Sequence, residues 1–492
     1  MTGGVLVAGF DPVTRAWASA DTAAAAGVVP VPRLDGRLLL DPAALAAAAD
    51  DFGHLVSRTP RAVLEPGSVA DIAAMIVFCA RWGLPVAPRG QGHQTYGQAQ
   101  VADGLVIDMG PLSSILVDPV SRTASVGAGA LWSALLAASL QHGLTPPVFT
   151  DYIELSVGGT LSAGGFGGAT QRFGAQVDNV AELEVVTGTG QVLTCSATVH
   201  ADLFRAALAG LGQVGVITRA TVRLVTAPAS ARTYTLAFAT AADLMAAQRR
   251  AARDGRFDWL EGSVAPVGTA AQFALQAAAY FTTTPPDDAA LIGDLGSTGT
   301  PQIQDVGYAA FINQLAPVVA FLKSTGEWFD PHPWLTLLVP DAAADGFVGS
   351  TVAAMTPADL GASGLVLVYP VPTAKLRTPL LRVPRSGEFA FLLAILRTAA
   401  PDAGALPAAQ MLAANRRLYL GNRVLGGTQY PTGSIPDLTA LDWHLQYGEQ
   451  WPFFAAAKLR YDPRRILTPG QGIFPPPPSP RGAPKLSAPA RG

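Results

Sequence analysis

Short apolar runs broken by glycine and proline dominate the first 230 residues of this 492-residue chain. Arg61-Ala62-Val63-Leu64 reads as a strand, and a helix follows from near Ser68 to Arg81, with Ser68 and Asp71 in an N-cap arrangement. Three further strands are predicted at Leu84–Ala87, Leu105–Asp108 and Thr123–Gly127, and a second helix over 131–141. Val180–Gly188 and Gln191–Thr194 read as a hairpin turning on Gly188-Thr189-Gly190, and Gly210–Thr218 feeds another strand. Single helices set among short strands and glycine-rich loops predict an α+β domain. Around Ala227-Pro228-Ala229 the pattern changes. Residues 230–440 alternate strands and helices with fewer glycines, interrupted by a Pro/Asp-rich loop at 284–288, and read as a second domain covering the first.

Two glycine-rich segments stand out. Arg89-Gly90-Gln91-Gly92-His93-Gln94-Thr95-Tyr96-Gly97-Gln98 places a histidine in a loop whose glycines permit positive φ and close approach to a ligand. Successive exposed N–H groups there form a nest for an anion, and a neutral imidazole is a nucleophile that could be joined to a cofactor. A tight turn with a surface histidine is the plain alternative. The second segment, Val157 to Gly168, has six glycines in twelve residues and reads as backbone laid against something flat or phosphorylated, or as a tight connection between layers. Gly127-Ala128-Gly129 lacks the third glycine of a Rossmann fingerprint, which disfavours that fold. Tyr461 to Gln471 reads as a polar loop able to line a site.

Composition narrows the class. Hydrophobic residues make up 49% of the chain and charged residues 14%, enough for a large core in two domains. Net charge is −3 and no Lys/Arg run resembles a nucleic-acid footprint. Cys79 and Cys195 are the only cysteines, so neither a disulfide framework nor a metal-type cysteine spacing is present, and no metal is expected. No signal peptide is legible in Met1–Pro32 and no apolar run reaches membrane-spanning length, so a soluble, cytoplasmic protein is expected. High Ala, Gly, Pro and Arg with little Lys points to a high-GC bacterial coding bias. The Pro-rich end, 476–492, is expected to be disordered.

Eight motifs in order then carry a resemblance. They are Arg89-Gly90-x-Gly92-His93 with Gly97-Gln98, Thr150-Asp151-Tyr152, Val157–Ser162, Ala201–Phe204, Gly210–Gln213, Leu260–Ser263, Pro331–Leu335 and Tyr461–Arg465. From about Asp51 to Phe474 the chain resembles cytokinin dehydrogenases, within the vanillyl-alcohol oxidase / p-cresol methylhydroxylase superfamily. The resemblance implies a two-domain α+β flavoprotein: a p-cresol methylhydroxylase-type FAD domain with an inserted α+β substrate domain. On this chain that divides into a lead (1–45), an FAD domain (46–229), a substrate domain (230–440), a return to the FAD domain (441–475) and the tail.

It also implies FAD bonded covalently through His93. Gln94 stands where the family usually has serine, and no cysteine lies between 150 and 194 to make a second tether. A histidyl bond withdraws electron density from the flavin ring and holds it still, favouring hydride acceptance. The implied cofactor contacts are Arg89, Gly90, Gln91, Gly92, His93, Gln94, Gln98, Asp151, Ser156, Ser162, Phe166, Ile217 and Gln471; Tyr430 is not clearly matched. Asp151 is the implied base and Glu261 a catalytic or substrate-contacting glutamate at an entrance channel; Trp334 is a pocket wall, and His332 orients it.

The implied reaction takes hydride from the carbon beside a secondary amine, as in isopentenyladenine. It leaves an imine that hydrolyses to aldehyde and amine. Partners are a small-molecule substrate and a quinone-like acceptor or O2, with no nucleic acid or membrane. Residues 369–390 and 426–440 diverge from the expected pocket, so a natural-product-tailoring FAD oxidase of an alcohol or amine is the second reading. A non-catalytic flavin-binding protein is the third.

Overall fold

The computed structural model describes residues 7–19, 27–267 and 270–475; the Pro-rich end lies outside the described residues. A four-stranded sheet runs in the order Arg37–Leu39, Ala62–Glu65, Leu105–Asp108, Val86–Arg89, and its last three strands are parallel. Parallel pairing needs a crossover, which the helix Val69–Trp82 supplies between Ala62–Glu65 and Val86–Arg89. Asp71 does not complete a box with Ser68, whose hydroxyl makes no cap bond. Its carboxylate instead accepts the N–H groups of Asp35, Gly36 and Gly67 at 2.8 Å each, tying the preceding segment to the helix start. A helix-start signal in sequence thus serves a tertiary contact.

An antiparallel five-stranded sheet runs Val192–Ser196, Val180–Thr187, Gly215–Arg223, Thr123–Gly127, Ile115–Asp118, and includes the expected hairpin. The third sheet has eight strands, in the order Thr298–Gly307, Ser230–Phe238, Ala270–Phe281, Trp259–Val267, Leu365–Pro372, Phe389–Leu396, Leu335–Pro340, Thr428–Gln429. Its two faces differ because side chains alternate along a strand. Leu260, Val264, Val368, Phe391 and Leu393 pack in one core with the helices Ala241–Asp254 and Asp341–Ala353. Trp259, Tyr369, Val371, Leu392 and Ala394 face the other way and join the core of the first two sheets. Glu261, two residues from Trp259, shares this inner face. The large sheet is therefore a roof over the glycine-rich half of the molecule.

The chain then returns. The helix Trp451–Tyr461 and the segment after it rejoin the first core through Phe454, Tyr461, Ile466 and Leu467. Val86 N–H donates to Ile466 O and Thr468 N–H to Val86 O, both at 2.8 Å, so the return lies along the strand that leads to His93. Lys458 and Asp462, 2% and 0% exposed, lock it in place. The ammonium donates to Asp462 at 2.8 Å, Gln213 O at 2.8 Å and Leu467 O at 3.2 Å, and Asp462 accepts the N–H groups of Ile466 and Leu467. Lys458→Met should destabilise the protein by about 3–5 kcal/mol, because it leaves a carboxylate buried without its counter-ion. Denaturant unfolding measures this; a loss under about 1 kcal/mol would show that Asp462 is neutralised some other way.

Candidate active site

The strand Val86–Arg89 stops at a loop that cannot be built from larger residues. A Cβ on Gly90 would lie 1.9 Å from Ser156 Oγ, and Gly92 has φ of 62°. Asp51, itself held by Gly53 N–H at 3.0 Å, accepts Gly97 N–H at 2.6 Å at the far end of the loop, while Phe52 N–H donates to Gly92 O at 2.8 Å. Burial pushes the Asp51 carboxyl up to about 6. His93 sits in an aromatic box, its ring centroid 4.1 Å from Phe52, 5.0 Å from Tyr152, 5.9 Å from Trp328 and 5.8 Å from Trp334. Desolvation, helped by nearby His332, pulls its pKa down to about 3. The imidazole is neutral at physiological pH, with a nitrogen lone pair free to bond.

The second glycine-rich segment is half helix. Val157–Ala163 is helical, and Gly158 serves packing rather than a ligand: a Cβ there would fall 2.6 Å from Ala128 Cβ. Tertiary contact outweighs the roughly 0.5–1 kcal/mol cost of a helical glycine. Gly164 and Gly165, with φ of 145° and 80°, then break the helix, and Gly165 N–H donates to Tyr430 OH at 2.9 Å.

Between these elements lies a cavity of about 230 Å³. Of the cofactor contacts expected from sequence, Arg89, Gly90, Gln91, Gly92, His93, Gln94, Gln98, Ser156, Ser162, Phe166, Ile217 and Gln471 all line it. Asp151 does not; its neighbour Thr150 does, and Asp151 stands behind, against a separate space of about 20 Å³. Sequence reasoning missed Gly212, Thr432 and Thr468 in the lining and left Tyr430 unmatched. The Gly210–Gln213 motif carried the only signal for Gly212.

The lining fits FAD. Arg89 is its single ionised group, and that guanidinium is turned onto Asp50 O. Backbone N–H groups and hydroxyls must therefore meet a pyrophosphate. Glycines 90, 159 and 212 keep the space clear, since Cβ atoms there would come within 1.9, 2.8 and 2.8 Å of Ser156 Oγ, Ser156 Oγ and Thr468 Oγ1. Gln94 Oε1 is buried without a partner.

Trp334 lines the cavity beside His93, and His332 supports it. His332 stacks on Phe52 at 4.1 Å, bonds Phe52 O through Nδ1 at 3.1 Å, and its carbonyl accepts Trp334 N–H at 2.8 Å. Trp328, unremarked in the sequence, closes the aromatic box.

Glu261 is not at an entrance. It is 4% exposed on the inner face of the large sheet, its carboxyl against that of Asp151. Burial raises the pKa of both acids, and Glu261 is raised further by the Asp151 charge. The hydrogen bond between the two carboxyls holds Asp151 below where burial alone would put it. One oxygen of each carboxyl has no partner. Tyr369 and Tyr430, from the two segments that diverge from the family pattern, complete the cluster: the Tyr369 hydroxyl is raised well above its ordinary pKa by burial, then by Glu261, Asp151 and Tyr430.

The chain matches two family models: an FAD binding domain over residues 60–196, and an FAD and cytokinin binding model of cytokinin dehydrogenase 1 over 273–474. It is 42% identical over 429 residues to an uncharacterized oxidoreductase of the fasciation locus of Rhodococcoides fascians, covering 87% of this chain and 96% of that one. Cytokinin dehydrogenase 7 of Oryza sativa subsp. japonica is 34% identical, with 89% and 91% covered. Cytokinin dehydrogenase 2 of Arabidopsis thaliana is 32% identical, with 89% and 93% covered. Among solved structures, 6-hydroxy-D-nicotine oxidase of Arthrobacter nicotinovorans has the same fold, at a TM-score of 0.69 and 22% identity over 89% of this chain and 98% of that one.

Proposed function

This chain belongs to the cytokinin dehydrogenase family of FAD-dependent oxidoreductases, and from that premise we propose that it desaturates a secondary amine of the isopentenyladenine type. The carbon beside nitrogen loses hydride and the nitrogen its proton; water then splits the imine to an aldehyde and a free amine. Bound FAD supplies the hydride acceptor. His93 carries the covalent link, being neutral and confined by four aromatic rings.

The observation that carries the reading is the buried Asp151–Glu261 pair, two carboxyls in contact whose pKa values burial raises. Asp151 follows Thr150, which lines the cavity, and precedes Tyr152, whose ring meets His93. In this reading Asp151, one residue behind the cavity wall, takes the amine proton on its unpartnered oxygen, and the Glu261 hydrogen bond stabilises its negative form until then. Trp334 and Trp328 would flank a flat substrate and exclude water.

Incubating the flavin-loaded protein anaerobically with isopentenyladenine should bleach absorption near about 450 nm, and adding a quinone should restore it with release of adenine. Bleaching only by other amines or alcohols would favour the tailoring oxidase. Bleaching by none would leave a flavin-binding protein.

The pair makes a second prediction. Glu261→Gln keeps a hydrogen-bond donor to Asp151 and should change the flavin reduction rate less than about threefold at neutral pH. Glu261→Ala removes the donor, raises the Asp151 pKa, and so moves the acid limb of the pH–rate profile to higher pH. At neutral pH it should lower the rate at least about tenfold, the scale of a lost charged hydrogen bond. Equal pH profiles for the two variants would remove Glu261 from the proton's path.

A further inference from the structure

Behind the cofactor loops lies a second and larger cavity, of about 810 Å³, that the reaction above does not use. Gln98 and Gln471 stand in the walls of both, so the two spaces are separated by little more than these side chains. Four arginines line the second one, Arg15, Arg58, Arg464 and Arg465, against one carboxylate, Asp437. None of the four is neutralised by an ion pair among the described residues. Arg15 donates to the carbonyls of Trp82 and Gly83, Arg58 to that of Gly97 at 2.6 Å, Arg465 to that of Pro475 at 3.2 Å, and Arg464 is exposed at the rim. Unpaired guanidiniums beside a concave apolar surface are a recognition element for carboxylate or phosphate.

Part of the remaining wall is apolar. Trp443, Ile435, Leu438 and Ile466 supply it, with Tyr96 beside them. Two buried N–H donors in it, Trp443 Nε1 and Gln429 Nε2, have no partner in the protein, and neither does one acceptor, Gln100 Oε1. A volume of this size accepts a molecule of several rings.

The geometry points to this cavity as a binding site for an organic anion, an apolar ring system bearing a carboxylate or phosphate, separate from the amine site. The arginines meet the charge and the apolar part of the wall meets the ring.

Calorimetric titration of the flavin-loaded protein with 1-naphthoate, 1-naphthamide and inorganic phosphate tests this. One naphthoate should bind per chain, at least about tenfold more tightly than the isosteric neutral amide and than phosphate, since each arm lacks one of the two contacts. The double variant Arg464→Gln/Arg465→Gln should weaken naphthoate about tenfold with flavin content unchanged, and Trp443→Phe should weaken it several-fold. The assignment is overturned if naphthoate and naphthamide bind alike, if phosphate alone binds as tightly, or if the double variant binds as the parent does. It is equally overturned if Trp334→Ala, in the other cavity, abolishes naphthoate binding while the double variant retains it.

Discussion

Asp151→Asn is expected to leave the flavin bound and to slow its reduction by about 10²–10⁴-fold, or roughly 3–5 kcal/mol of barrier. The amide is nearly the same size and still accepts from Glu261, so the fold and cofactor cavity stay intact; only the capacity to take a proton is lost. The expected size rests on the surroundings. A carboxylate among buried side chains, raised by desolvation and lowered in part by its hydrogen bond with Glu261, is matched to an amine proton far better than a solvated aspartate. Rapid mixing under anaerobic conditions reads the rate directly. A change below about threefold would make Asp151 structural, and the base would have to be sought elsewhere in the cluster.

His93→Ala should convert flavin that survives acid denaturation on the polypeptide into flavin released quantitatively to the supernatant. The parent protein should keep yellow fluorescence on the precipitated chain. Because burial holds the imidazole pKa near 3, attachment should not vary between about pH 6 and 8, where an unperturbed histidine would titrate. The variant should still fold. His93 contributes aromatic contacts and no hydrogen bond that closes the loop, which is pinned by Asp51 and Phe52. It should also reduce more slowly, having lost the electron-withdrawing bond. Flavin lost from the parent protein on denaturation would overturn the covalent claim alone; the cavity and its glycine cradle would still account for non-covalent binding.

Much of the site was legible because it is written in short contiguous motifs. Twelve of the cofactor contacts named from sequence line one cavity, since a loop of Gly90, Gly92 and His93 has few uses other than close approach. The early strands and the hairpin at Gly188–Gly190 were equally plain, being local. What failed was non-local. Ser68 and Asp71 resemble a helix cap, yet Asp71 spends its carboxylate on Asp35, Gly36 and Gly67, a contact invisible in spacing. Gly158 reads as a ligand-facing glycine because its true reason, Ala128, is thirty residues away in the chain.

The sequence by itself determined the family, the two-domain α+β plan and which loops line the large glycine-walled cavity, because these depend on residues close in the chain. Only the tertiary structure decided the chemistry of the carboxylates. Glu261 reads as a surface or entrance residue until the alternation of its strand turns it inward, with Trp259, onto the roof of the site. Its pairing with Asp151, 110 positions earlier, and the arrival of Tyr369 from a later strand and Tyr430 from just beyond another, are set by packing a sheet against a distant domain. Burial then shifts every one of those groups, and burial belongs to the folded surface, not to any segment of the chain.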